Sequence, residues 1–198
     1  MTTQLSSKKW LVAFFCTFVL LLALLVLFNF LIDPFGVFGD PLFDWYSYNA
    51  TQNPRVAKIA YLDRHHDEYD SYIVGCSGSS SYPADLLNEY CGANFYNTIM
   101  YGADMLDIEQ TCRYLIDNYT VKNIVLSLYL DNALFYDIEP NRLTLNMHQK
   151  ASGGSKLSFY GRYLLLNPQF SIAKIRSKQS DTSLPQSFDV FDMLTGAY

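Results

Sequence analysis

The chain has 198 residues, with 14 Lys and Arg against 19 Asp and Glu, a formal net charge of −5 and a pI near 5.0. Binding to nucleic-acid phosphates needs a basic footprint, and the nearest thing to one here is the short run Lys174, Arg176 and Lys178, so no nucleic-acid partner is expected. Of four cysteines only Cys76, Cys91 and Cys112 lie outside the apolar N-terminal run, which allows at most one disulfide and reads most simply as small buried thiols; no C-x-x-C or Cys/His spacing suits zinc, so no metal or cofactor is expected.

The first predicted element is a membrane-length helix. Trp10 to Ile32 carries no charge, and at about 1.5 Å rise per residue it covers the roughly 30 Å hydrocarbon core. Lys8 and Lys9 precede it, while Asp33, Asp40 and Asp44 follow, so the positive-inside rule places residues 1–9 in the cytoplasm and the rest outside. A signal h-region would be shorter and would end in a small-residue cleavage site, and Asn29 to Pro34 offers none. The expectation is an uncleaved, single-pass signal anchor in the cell membrane, residues 10–32, with the bilayer as its partner.

Residues 33–62, punctuated by Pro34, Gly36, Gly39, Pro41 and Pro54, read as an extended membrane-proximal collar ending in a short helix around Arg55 to Leu62. From 63 to 198 a periodic α/β pattern is predicted. Tyr72 to Val74 is a buried strand ending at Gly75; Ala84 to Tyr90 is a helix stopped by Gly92; Phe95 to Met100 is a second strand. Met105, Ile108, Cys112, Leu115 and Ile116 recur at helical spacing, which predicts an amphipathic helix over 104–118. Asn123 to Leu130 is a third strand, apolar enough for burial on both faces. Beyond Asp137 a polar loop spans 138–157, then Leu157 to Ile175 forms one or two helices broken at Pro168. No fourth strand is evident, so the sheet reads as incomplete and the natural chain as continuing.

Strand, helix, strand, helix, strand implies a parallel sheet, and such sheets bind ligands beyond the carboxyl ends of their strands. The segments expected there are Gly75 to Ser81, Tyr101 to Asp104, and Asp131 with Asn132. In Gly75-Cys76-Ser77-Gly78-Ser79-Ser80-Ser81 a serine on a tight strand-to-helix turn can project its hydroxyl while nearby N–H groups hold an oxyanion. The same residues can equally be a glycine turn in which Ser80 or Ser81 caps the next helix. They are neither a full G-x-S-x-G nor a P-loop.

Asp33-Pro34-Phe35-Gly36-Val37-Phe38, Arg55-Val56-Ala57-Lys58, Tyr69 to Ser79, and Phe95-Tyr96-Asn97 followed by Tyr101-Gly102-Ala103 together resemble bacterial membrane-anchored proteins of the SGNH (GDSL-like) hydrolase superfamily, over about residues 33–137. The resemblance implies a three-layer, flavodoxin-like fold and esterase or acyl-transfer chemistry, often on cell-surface polysaccharide or beside a membrane acyltransferase. It implies Ser77 as nucleophile, its own N–H and that of Gly102 as oxyanion donors, and Asn132 as a third donor, although no glycine precedes Asn132. The family's Asp-x-x-His is missing after His148, and a serine without a base is a weak nucleophile. His65 and His66, in Asp63-Arg64-His65-His66-Asp67, are the candidates to replace it, because a triad can assemble in any chain order, and His148 is a further one. Two readings therefore stand: an anchored acyl hydrolase or acyltransferase, and a non-catalytic surface module of the same fold that binds glycan or a membrane partner. Asn49-Ala50-Thr51 and Asn118-Tyr119-Thr120 match the glycosylation acceptor pattern, which arises often by chance.

Overall fold

The structure is a computed structural model that describes residues 7–42, 53–130 and 145–179. Its secondary elements run α1 (Ser7–Ile32), α2 (Pro54–His65), β1 (Ser71–Gly75), α3 (Ala84–Cys91), β2 (Phe95–Asn97), α4 (Met105–Asn118), β3 (Asn123–Ser127), α5 (Gln149–Ser152), α6 (Lys156–Leu164) and α7 (Gln169–Gln179). The three strands form one parallel sheet in the order β2-β1-β3, with Tyr72 beside both Tyr96 and Ile124. Asp131, Asn132 and the Asn49 acceptor motif lie outside the described residues.

Side-chain alternation along the strands divides the core. Tyr72, Val74 and Tyr96 point to one face, where Ala57, Tyr61 and Leu62 of α2 and Ile108 and Leu115 of α4 cover them. Ile73 and Phe95 point to the other, against Ala84 and Leu87 of α3. Successive residues of a strand face opposite ways, so five residues of β1 can be wholly buried only because helices lie on both sides. Thus α2, which the sequence places with the collar, is a core helix of the sheet.

β3 departs from expectation. It ends at Ser127, and Leu126 is 49% exposed and Leu130 82% exposed. The apolar run predicts burial on both faces, but this strand occupies an edge of the described sheet, where only β1 flanks it. Nor are the thiols all buried: the four cysteines are free, and Cys91 is exposed.

Helix α1 is long and apolar enough to cross a membrane, and its central stretch is fully exposed. Residues 33–42 of the collar are compact rather than extended. Asp33 and Asp40 both adopt left-handed backbone (φ 45° and 54°), strained for residues with a Cβ. The Asp33 carboxylate holds the loop closed by accepting the N–H groups of Val37 and Phe38, each at 2.8 Å, and of Asp40 at 3.0 Å. Burial pushes Asp33 up to about 6, against the pull of these donors and of Lys174, so it is a carboxylate at neutral pH. Lys174 of α7 donates to the Asp33 carbonyl at 2.9 Å and pairs with Asp40 at 2.9 Å, both side chains of the pair being essentially inaccessible. Phe35 and Val37 pack with Val56 of α2 and with Tyr163 and Leu166, and Arg64 donates to the carbonyls of Phe38 and Gly39. The collar is therefore a clasp joining the end of α1 to both the α/β unit and the α6–α7 hairpin, whose two helices are separated at Asn167-Pro168.

Candidate functional site

Ser77 follows the carboxyl end of β1 and is exposed. Residues Ser77–Ser81 form one short 3-10 turn, closed by the Ser79 N–H on the Cys76 carbonyl at 2.9 Å and by the Ser79 hydroxyl on the same carbonyl at 2.8 Å. The capping alternative fails here. Pro83 occupies the cap position of α3 without a side-chain hydrogen bond, and the Ser81 hydroxyl donates instead to the Gly78 carbonyl.

The turn is fixed from behind by Asn97 at the end of β2. Its Nδ2 donates to the Ser79 carbonyl at 2.7 Å and its Oδ1 accepts the Ile99 N–H at 3.0 Å. The Asn97 carbonyl in turn accepts from Lys58 Nζ at 2.7 Å, which brings a buried ammonium to this edge of the sheet. The sequence reading assigns Asn97 and Lys58 no role at the site; a polar residue at the end of an apolar strand is the one signal that could have singled out Asn97.

Pairing continues past the formal end of β2, with Thr98 N–H on the Ile73 carbonyl at 2.8 Å and Met100 N–H on the Gly75 carbonyl at 3.0 Å. Ser77 and Gly102 each lie two residues beyond that last bond, so the two turns leave the sheet side by side. Gly102 is exposed and left-handed (φ 53°), a conformation that costs glycine little, and it hands the chain to Asp104, whose carboxylate caps α4 through the Asp107 N–H at 2.8 Å. Arg55 clamps Asp107 through Nε at 3.0 Å and Nη2 at 2.7 Å, tying α2 to the start of α4. Burial pushes the Asp107 carboxyl up and the Arg55 charge opposes it. Beside Asp104 a cleft of about 390 Å³ runs between α4, α5 and α6, lined by Gln110, Ser158 and Arg162 together with the apolar Leu106, Met147 and Phe159.

His65 and His66 are at the other edge. Helix α2 runs opposite to the strands: Lys58 reaches Asn97 at the carboxyl edge, and His65 comes seven residues, about 10 Å, further along the axis. His65 stacks on Tyr61 at 4.2 Å and meets Glu68 through Nδ1 at 2.8 Å. His66 stacks on Tyr119 at 4.8 Å, just before Lys122, whose N–H bonds the Asp70 carbonyl at the start of β1. The fold thus sets the Ser77 and Gly102 turns on adjacent strands at one edge of the sheet and the two histidines at the other.

The third histidine, His148, is buried edge-on against Phe159 at 4.8 Å, and its Nδ1 accepts the Lys150 N–H at 3.2 Å. Desolvation pushes it down to about 4, helped by the Lys150 charge and opposed by Asp63. A histidine lowered in the folded state contributes stability that is complete above its ordinary value of about 6.5 and is lost as pH falls through the folded value. Replacing His148 with Gln is therefore expected to flatten the acid limb of stability between pH 6.5 and about 4, by up to about 3 kcal/mol, measured by denaturant titration in detergent at several pH values.

No protein-family model, curated protein or solved structure matches this chain.

Proposed function

We propose that this chain is a membrane-anchored, single-pass protein whose α/β domain lies outside the cytoplasm and handles acyl esters of cell-surface glycans in the manner of the SGNH hydrolase superfamily, with Ser77 as the acyl-accepting hydroxyl. The observation that carries this reading is the exposed Ser77 turn at the carboxyl end of the central parallel strand, with the Gly102 turn beside it through the Gly75 to Met100 hydrogen bond. That is the edge where open parallel sheets take their ligands. Backbone N–H groups of the two turns are the proposed oxyanion donors, Asn132 the further one, and the cleft beside Asp104 sets polar groups such as Gln110 and Arg162 among apolar walls, a lining that suits an acylated sugar.

The second reading, a non-catalytic glycan-binding or partner-binding module of the same fold, is favoured by one observation. His65 and His66 lie at the opposite edge of the sheet, and His148 is buried against Phe159 with its Nδ1 already accepting the Lys150 N–H. A serine with oxyanion donors but no positioned base forgoes about 10²–10⁴ in rate. The expected behaviour is slow, Ser77-dependent acylation. The test is a fluorophosphonate probe on the detergent-solubilised chain, alone and as Ser77→Ala. Slow labelling that disappears in Ser77→Ala supports the acyl-ester reading; equal labelling, or none at long times, leaves the binding module. Substituting His65 and His66 together by Ala is expected to leave the labelling rate within about twofold, since a base acts only within hydrogen-bond reach.

A further inference from the structure

We infer that the α6–α7 turn is a second membrane contact, inserting residues 165–172 into the interfacial layer of the bilayer beside the end of α1. The inference rests on the reading of α1 as a membrane span, and extends it to a part of the chain that carries only the short apolar run Tyr163-Leu164-Leu165-Leu166. Three hydrogen bonds set the level of the turn. Asn29, wholly buried and three residues or about 4.5 Å inside Ile32, donates through Nδ2 to the carbonyls of Leu164 at 3.0 Å and Leu166 at 2.8 Å, and its Oδ1 accepts the Ser171 hydroxyl at 2.9 Å. The direction of the two helices is equally fixed. On α6, Tyr160 lies against Phe38 and Tyr163 against Phe35, and the helix ends at Asn29; on α7, Ser171 begins at Asn29 and Lys174 returns to Asp33 and Asp40. The hairpin therefore runs down alongside the last turns of the apolar helix and back, with its tip at the deepest point.

The surface of the tip is mixed, with Asn167 and Gln169 exposed among apolar side chains, and suits the interfacial layer rather than the hydrocarbon core. Leu165 is 55% exposed, Phe170 42% and Ile172 38%, at the level where α1 itself exposes Leu27 and Phe30. Its backbone is suited too, because a bilayer supplies no partners to unsatisfied N–H and C=O groups. The N–H of Leu165 goes to the Gly161 carbonyl, that of Gln169 to Asn167 Oδ1, that of Phe170 to the Asn167 carbonyl and that of Ile172 to the Pro168 carbonyl, while Pro168 has no N–H. At the end of α6, the carbonyls of Leu164 and Leu166 receive Asn29. A tip that exposes Leu165, Phe170 and Ile172 beside Asn167 and Gln169, with much of its backbone bonded and continuous with a span, has the mixed chemistry of an interfacial phospholipid contact. Its consequence is a domain held at two points, unable to swivel about α1.

The experiment places single tryptophans in the full chain, with Trp10→Phe and Trp45→Phe as background, reconstituted in phosphatidylcholine vesicles with or without phosphatidylcholine brominated along its acyl chains. Leu165→Trp and Phe170→Trp report the tip, Leu22→Trp the span, and Leu157→Trp, on the exposed domain-side start of α6, the control. The expected result is about twofold or greater quenching at 22, 165 and 170 and little at 157, as the depth of an interfacial segment requires. Quenching at 22 without quenching at 165 and 170 overturns the inference and leaves the span; a blue-shifted, unquenched tip then means that protein covers it. Absence of quenching at 22 overturns the span and the inference with it. Equal quenching at 157 means adsorption of the whole domain and also overturns it. If Leu165→Trp does not fold, Phe170→Trp decides alone.

Discussion

Lys174→Met is expected to destabilise the folded chain by about 3–5 kcal/mol, the cost typical of removing one partner from a buried ion pair. The ammonium has about 1% side-chain exposure and its partner Asp40 about 2%, so water cannot replace the lost contact. The loss is compounded by Asp33, whose carboxylate is buried a few residues away and is held down in part by Lys174. Without the cation, two buried carboxylates face each other, and the left-handed residues 33 and 40 lose the tie that compensates their strain. The sign with pH is a further check. Asp33 is raised above its ordinary value, so its contribution is greatest at low pH and declines as pH rises through about 6. The Lys174→Met deficit should accordingly shrink as the medium is acidified through that value. Thermal unfolding of wild type and variant in detergent at pH 5 and 8 measures both effects, and a deficit below about 1 kcal/mol at both would show that the pair is solvated.

Gly75→Ala is expected to damage both the sheet and the site, and Gly78→Ala neither to the same degree. A Cβ at Gly75 would stand 2.6 Å from the Ser127 Cβ and 2.8 Å from the Ser127 carbonyl oxygen, so β1 and β3 must move apart where their ladder ends. Overpacking against backbone costs about 1–3 kcal/mol and here shifts the strand end that carries Ser77 and receives the Met100 N–H. The nearest atoms to a Cβ at Gly78 belong to the phenol end of Tyr129, which is half exposed and can swing away. The expected order is a large drop in melting temperature with loss of Ser77 labelling for Gly75→Ala, and a drop several-fold smaller for Gly78→Ala. Equal effects at the two glycines would mean that side-chain contact, not strand spacing, sets the turn.

The elements whose chemistry is local were legible in the sequence. An uncharged run from Trp10 to Ile32 can hardly be anything but a buried or membrane-crossing helix, because its composition alone sets its solvent. The three parallel strands follow from apolar runs that alternate with amphipathic helices, and the end of α3 follows from a left-handed Gly92. The turns after β1 and β2, at Ser77–Ser81 and Gly102, were legible for the same reason: a strand-to-helix turn is a property of neighbours in the chain.

What tertiary structure alone decided are the partners of polar side chains that lie far apart in sequence. Asn29 looks like a mere interruption of an apolar run until Ser171, 142 residues later, reaches it. Asp33 and Asp40 read as charges at a membrane surface, yet Lys174 takes them into the interior. His65 and His66 are near Ser77 in sequence, but α2 runs against β1, so helix direction carries them to the opposite edge of the sheet. A hydrogen bond or ion pair acts over about 3 Å and depends on orientation, whereas hydrophobic burial is non-directional and periodic. Periodicity is written along the chain; the meeting of two polar groups exists only once the chain has folded.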